Sequence, residues 1–221
     1  AVAKSNYVTL LEHFGIDVIL DVGAHEGLSA RKTFDHGYRG RIISFEPLAK
    51  HFGKLNEACA QARQKGYAWE ARHQGLGDQD ATLPINVAGN GESSSLVAML
   101  PEHEKLNPTS KYLGQEAISV VRLDTIFDQL RLTTKNRVLL QLDVQGFEPQ
   151  ALEGACLSLP KITGVQLEVN FRPAYATGYD VPTAFQSMEK LGFTPCYVEP
   201  AWGDEKTWVF YQVDVLWFRV A

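Results

Sequence analysis

Asp21-Val22-Gly23-Ala24-His25-Glu26-Gly27 (DVGAHEG) ends an apolar run that starts at Asp17 and opens a segment, Leu28 to His36, that Gly37 closes. The aliphatic run predicts a buried strand, and the segment after the turn is of helical length with a glycine stop. Strand, glycine turn and helix together make an elbow. Glycine after a buried strand lets the backbone approach a ligand more closely than a side chain permits, so the turn is the first candidate binding element. Its spacing disfavours one ligand class. A dinucleotide fingerprint requires G-x-G-x-x-G, and His25 stands where the second glycine would admit a pyrophosphate.

Outward from the elbow, Arg41 to Phe45 (RIISF) predicts a second strand. Glu46-Pro47 then opens a helix whose Leu48, Phe52, Leu55, Cys59 and Ala62 share one stripe before Gly66. Tyr67 to His73 is a third strand, and Ala81 to Ala88 a short extra one. Gly89 to Ala117 is rich in Gly, Ser, Pro and Asn without periodicity, which predicts a long loop or broken helical insertion. Arg137 to Val144 (RVLLQLDV) is almost continuously apolar, as a strand buried on both faces should be. Glu148 to Leu159 reads as a helix, Thr163 to Val169 as a strand and Pro182 to Leu191 as a helix stopped by Gly192. Phe193 to Val198 and Trp208 to Val220 read as closing strands around a turn at Trp202-Gly203-Asp204. At the other end, Tyr7, Leu10, Leu11 and Phe14 recur at helical spacing and predict an amphipathic lead-in helix within residues 1–15. The alternation predicts an α/β domain with a largely parallel sheet occupying residues 1–221 without a linker or repeat.

The composition narrows the partners. A net charge of −5 and the lack of any Lys/Arg run disfavour nucleic acid. Cys59, Cys156 and Cys196 are far apart with no C-x-x-C spacing, so neither a disulfide framework nor a cysteine zinc site is expected. The histidines show no H-x-x-x-H spacing or comparable clustering, and no metal is expected. No run of 18 apolar residues occurs, and Ala1 to Phe14 does not resemble a secretory signal; the expectation is a cytoplasmic protein without a membrane span.

The D-x-G-x-x-x-G spacing suits the zwitterionic end of S-adenosylmethionine: Asp21 for the ammonium, and the amides around Gly23, Ala24, His25 and Gly27 for the carboxylate. Glu46, ending the second strand beside Pro47, is placed to accept hydrogen bonds from both ribose hydroxyls; a solvated glutamate at a helix start is the alternative. Leu76, Gly77 and Asp78, after the third strand, are expected near the adenine. Asp143, at the carboxyl edge of the buried strand, is a candidate both for cofactor contact and for accepting the acceptor hydroxyl's proton. Glu168 shares that catalytic expectation, and Asn170 ends the same strand; structural hydrogen bonding is the alternative for both. Ser94, Ser95, His103, Gln145 and Asn170 are expected to meet the acceptor. An oxygen-ligand variant, with Asp143, Glu168 and Asn170 holding Mg²⁺, is the metal-assisted alternative.

In their order, DVGAHEG, Phe45-Glu46-Pro47, Gly75-Leu76-Gly77-Asp78, Ser94-Ser95-Leu96, Leu123-Asp124-Thr125-Ile126, Leu140 to Glu148 (LQLDVQGFE), Leu152-Glu153-Gly154-Ala155 and Leu167-Glu168 resemble the FkbM methyltransferases from about Phe14 to Val220. The resemblance implies a Rossmann-like class I methyltransferase fold, a mostly parallel seven-stranded sheet with helices on both faces. It also implies S-adenosyl-L-methionine as cofactor and O-methylation of a sugar, glycan or polyketide hydroxyl. Many relatives carry Asn at position 25 and Glu at 145; with Gln145 here, the carboxylate role shifts to Asp143 and Glu168. Two rivals remain: a nicotinamide oxidoreductase, which needs the glycine missing at 25, and a non-catalytic adenosyl-binding module, which needs no polar mouth at Asp143 and Glu168.

Overall fold

All five residues of β1 (Val18–Val22) are buried, because the strand lies between two neighbours and under helices on both faces. The computed structural model describes residues 5–204 and 206–220. Ser5 caps the lead-in helix α1 (Asn6–His13) by accepting from the Val8 amide; residues 1–4 of the expected lead-in lie outside the described residues. After β1 come α2 (Leu28–Asp35), β2 (Arg41–Phe45), α3 (Ala49–Gln64), β3 (Trp69–Arg72), β4 (Gly75–Leu76) and β5 (Ala81–Ala88). The chain continues through α4 (Pro101–Leu106), β6 (Tyr112–Val121), α5 (Leu123–Ile126), β7 (Val138–Leu142) and α6 (Glu148–Glu153). It ends in β8 (Ile162–Asn170), α7 (Val181–Lys190), β9 (Thr194–Asp204) and β10 (Val209–Phe218).

The main sheet has seven strands in the order β3-β2-β1-β7-β8-β10-β9, and β10 runs antiparallel to both neighbours. The remaining pairings are parallel. Strand alternation divides the core. Val18, Leu20, Val22, Leu140 and Leu142 face one layer with Leu123, Leu152 and Met188 from α5, α6 and α7. Ile19, Ile42 and Leu139 face the other layer, with Leu11, Phe34 and Leu55 from α1, α2 and α3. Both faces of the expected sheet therefore carry helices. The strand order reverses between β1 and β7, and a ligand crevice forms outside the carboxyl ends of such strands.

A second, three-stranded sheet, β4-β6-β5, packs Ile85, Ile118 and Val120 against Leu48. The segment from 89 to 117, expected as a long loop or broken helical insertion, does hold the short helix α4, but its end is corrected: Tyr112 already begins β6, which pairs antiparallel with β5. Gly114, Gln115 and Glu116 hide the strand from a period-two reading, and pairing with β5 supplies the order that local pattern lacks. Two boundaries also move. The helix expected over 148–159 stops at Glu153, where a side chain on Gly154 would come within 1.7 Å of the Gly77 carbonyl. The final hairpin keeps pairing through Trp202-Gly203-Asp204, so its turn lies beyond them.

Candidate active site

The elbow after β1 is knitted to β2 rather than left open. The Gly23 and Ala24 amides both donate to the Phe45 carbonyl, the His25 amide to Glu46 Oε2 at 2.9 Å, and the Gly27 amide to the Ala24 carbonyl. These four amides therefore do not face a ligand carboxylate, which corrects the sequence expectation. The glycines have packing reasons as well: a Cβ on Gly23 would lie 1.8 Å from the Asp143 carbonyl oxygen, and one on Gly27 2.6 Å from the Trp69 ring. Their positive φ values, 84° and 79°, suit only glycine without strain. Across the crevice, His25 (φ 49°) and Gln145 (φ 54°) also adopt left-handed backbones. Non-glycine residues held there cluster at functional sites, where the surrounding structure offsets the strain.

Two cavities meet at this crevice. A slot lined by Glu46, Pro47, Leu48, Leu76, Val144 and Phe147 leads from it under the second sheet. Glu46 is 5% exposed and accepts from the Leu48 amide at 2.8 Å as well as from His25, which fixes its carboxylate while leaving lone pairs for a ligand. Burial pushes Glu46 up to about 7 and Asp21 up to about 6. Asp21 accepts from Ser44 Oγ at 2.7 Å, its partner across β2. The slot is thus an apolar cleft with a buried acid at its entry, which fits a purine nucleoside carrying free ribose hydroxyls.

The second cavity is a wider mouth of about 510 Å³, within the range of small-molecule sites. Asp21, Asp143, Glu168, Gln145, His103 and Trp202 are among its lining residues. Gln145 is its hub: Nε2 donates to Asp143 Oδ1 at 2.6 Å, Oε1 accepts from the Tyr175 hydroxyl at 2.6 Å, and the backbone carbonyl accepts from Ser95 Oγ at 2.6 Å. Glu168 Oε1 accepts from Gln212 Nε2 at 2.5 Å. Loss of solvation, with Asp143 and Glu148 nearby, holds Glu168 well above the usual carboxylate range; the same desolvation, with Glu92, raises Asp143. Two carboxyls with raised pKa values facing one cavity are the arrangement expected of proton-transfer groups.

A family model for the methyltransferase FkbM domain matches residues 21–195. The chain belongs to the FkbM methyltransferase family. Among solved structures, an FkbM methyltransferase from Methylobacillus flagellatus KT is similar over 98% of this chain and 48% of its own, at 14% identity and a TM-score of 0.56. Magnesium protoporphyrin IX methyltransferase (ChlM) from Synechocystis PCC 6803, solved with SAM bound, is similar over 97% of this chain and 76% of that one, at 11% identity and a TM-score of 0.54. TrmK from M. capricolum, in complex with S-adenosyl-homocysteine, covers 97% and 68% at 8% identity and a TM-score of 0.50. This FkbM domain spans about half the length of the Methylobacillus protein. No curated protein matches its sequence. The fold is the class I methyltransferase fold.

In the FkbM frame the site residues expected from the sequence divide into two groups. Asp21, Gly23, Ala24, His25, Glu46, Pro47, Leu76, Asp143, Gln145, Glu168, Ser94 and His103 line the slot or the mouth. Gly27, Gly77, Asp78, Ser95 and Asn170 line neither cavity. A Cβ on Gly77 would meet Val120 and Phe147, Ser95 is fully buried, and Asn170 donates to the Tyr179 carbonyl and accepts from Gln212. Asn170 Oδ1 and Glu168 Oε1 accept from the same Gln212 Nε2, while Asp143 and Glu168 line the mouth that Asn170 does not. His103 is 5% exposed rather than on the surface, its ring 5.7 Å from Tyr175 and 5.0 Å from Trp202.

The fold also adds residues that sequence reasoning missed. Lys32, Glu92, Gln141, Glu199, Trp202 and Gln212 line the mouth, Gln141, Glu199, Trp202 and Gln212 from strands, Lys32 from α2 and Glu92 from the connection after β5, and no local motif marks them. Histidine clustering was not expected, yet the His25 and His51 rings lie 4.0 Å apart at a 37° tilt, and with Glu26 they place three potential ligand atoms within 4.8 Å of one another. Glu26 is already engaged by Lys54 Nζ at 2.6 Å.

Asp21 carries a pH prediction. A carboxyl whose folded pKa lies above its unfolded one binds protons more tightly when folded. Its stabilising contribution is full below the unfolded value of 3.8 and is lost as pH rises through about 6. An ammonium ligand requires the ionised form and reverses that cost. S-adenosylhomocysteine affinity should therefore fall as pH drops from 8 to 5, with the bend near 6, while the melting temperature of the ligand-free protein moves the opposite way. Calorimetry across that range checks it, and a pH-independent affinity would remove Asp21 from the ammonium site.

Proposed function

We propose that the protein binds S-adenosylmethionine across the β1/β7 crevice and transfers its methyl group to a hydroxyl of a small glycan-like or polyketide-like acceptor, in the cytoplasm. One observation carries the reading: the apolar slot and the acid-lined mouth share Gly23, His25, Glu92, Asp143 and Gln145. A nucleoside in the slot would thus present its far end to the mouth beside Asp143. When bound, S-adenosylmethionine supplies an electrophilic methyl carbon on a sulfonium. Asp21 holds the ammonium, and Lys32, on α2 at the same wall, faces the carboxylate that the turn amides do not serve. Glu46 accepts the ribose hydroxyls, and Pro47, Leu48, Leu76 and Phe147 enclose the base.

Asp143 and Glu168 take the proton that the attacking hydroxyl loses, with Gln145 and Gln212 holding their carboxylates in place. Alignment of acceptor and methyl carbon accounts for most of the rate, about 7–11 kcal/mol. Proton removal adds about 10²–10⁴-fold. The segment from Asn90 to Lys111 walls the acceptor side through Ser93 and His103, and the Ser95–Gln145 and Tyr175–Ser93 hydrogen bonds tie it to the catalytic edge.

Incubation with methyl-labelled S-adenosylmethionine and a panel of sugars, glycolipids and polyketide alcohols should yield a labelled methyl ether. Tight S-adenosylhomocysteine binding with no label on any alcohol would favour the non-catalytic module instead.

A further inference from the structure

Glu168 on β8, Asp214 on β10 and Glu199 on β9 stand in register, Glu168 opposite Asp214 and Asp214 opposite Glu199. Directly opposed residues share a face of the sheet, and like charges there are destabilising. The chain nonetheless keeps two such pairs side by side. They lie on the face covered by α1, α2 and α3, where the mouth continues into a second trough; the two share Ser29, Lys32, Gln141, Asp143 and Glu199.

The lining is unbalanced in charge. Among the described residues, Asp21, Glu92, Asp143, Glu168, Glu199 and Asp214 face Lys32 as the sole lysine or arginine lining these two cavities. Among the described residues, none of these six acids is within ion-pair distance of a basic side chain. Burial, with Asp143 and Glu199 adding, pushes Asp214 up to about 7.

Hydrogen bonding is unbalanced in the same sense. Gln166 lines the trough, is 6% exposed, and its Oε1 has no donor. A buried acceptor left unpaired costs about 1–3 kcal/mol, so its retention calls for a donor brought from outside. At the other end His103 Nε2 is likewise unpartnered, and the Trp202 ring lines the mouth with Glu168 and Glu199. Carboxylates beside an aromatic face are a recognition surface for an ammonium. A single metal ion suits the row poorly, because among the described residues the trio with ligand atoms close enough for one is His25, Glu26 and His51, outside it.

We infer that the methyl acceptor is an amine-bearing molecule, such as an amino sugar, whose ammonium docks on the Asp214–Glu199 end of this row while the hydroxyl to be methylated lies at Asp143 and Glu168. The inference rests on the methyl-transfer reading for the role of the ligand, but the row's preference for amines can be measured without turnover.

The experiment is a titration of the full chain, with and without S-adenosylhomocysteine, at fixed physiological ionic strength. The probes are glucosamine, N-acetylglucosamine, spermidine and magnesium chloride, read by ligand-observed NMR and calorimetry. Glucosamine and spermidine should bind at least tenfold more tightly than the acetylated sugar. A Glu199→Gln/Asp214→Asn double variant should lose at least tenfold in amine affinity with S-adenosylhomocysteine affinity within twofold of wild type. Because it relieves like-charge pairs, this variant should melt no lower than wild type. Equal binding of free and acetylated amines overturns the inference, and so does amine binding unchanged in the variant. Magnesium binding with the same dependence on Glu199 and Asp214 overturns it too, in favour of a metal row. Failure of S-adenosylhomocysteine to bind sinks the cofactor reading alone, since the amine titration without it still decides the row.

Discussion

Gly23→Ala should lower the melting temperature by roughly 4–20 °C, the shift that about 2–5 kcal/mol produces in a chain of this size. The added Cβ would sit 1.8 Å from the Asp143 carbonyl oxygen, so β1 and β7 must part at the ends that frame the site. Forced overpacking costs about 1–3 kcal/mol or more, and a left-handed alanine adds about 1–2 kcal/mol. If Gly23 served only a ligand's approach, the variant would keep its stability and lose only cofactor affinity. Thermal melting and S-adenosylhomocysteine titration on the same preparation separate the two: an unchanged melting temperature would refute the packing account.

Asp143→Asn and Glu168→Gln keep shape while removing a carboxylate, and at least one should reduce turnover by about 10²–10⁴-fold, the worth of a positioned general base. Cofactor affinity should change by far less in Glu168→Gln, because Glu168 lines the mouth alone, whereas Asp143 lines both the mouth and the apolar slot. Gln145→Glu provides the pH readout. It removes the amide that donates to Asp143 Oδ1 and adds a like charge between Asp143 and Glu168, which raises their pKa values further. Since the base acts ionised, the acidic limb of the pH–rate profile should move to higher pH. Wild-type rates in both carboxylate variants would leave catalysis to alignment alone.

Much of the cofactor side was legible in the chain. The apolar run into Asp21, the glycine turn, Glu46 at the end of β2 and the LDVQGFE stretch each carry their signal within about ten residues, through periodicity and turn chemistry that neighbours along the chain enforce. The class of fold followed from their alternation. Why Gly23 and Gly27 are glycines was not legible, because the atoms they avoid belong to Asp143 and Trp69, which chain neighbours do not specify. The same holds for β6, whose mixed pattern becomes a strand only against β5.

The acceptor side was decided almost entirely by tertiary structure. His25 meets His51, Gln145 meets Tyr175, and Glu168, Asp214 and Glu199 form a row, each through elements far apart in sequence. A strand's own pattern tells which residues share a face, but which residue of another strand stands opposite is set by hydrogen-bond register. A shift of one residue would have turned Asp214 into the core. The sequence by itself thus determined a glycine elbow with Asp21 and Glu46 beside it; strand register and helix packing decided that, among the described residues, six carboxyls and one lysine line the adjoining cavities.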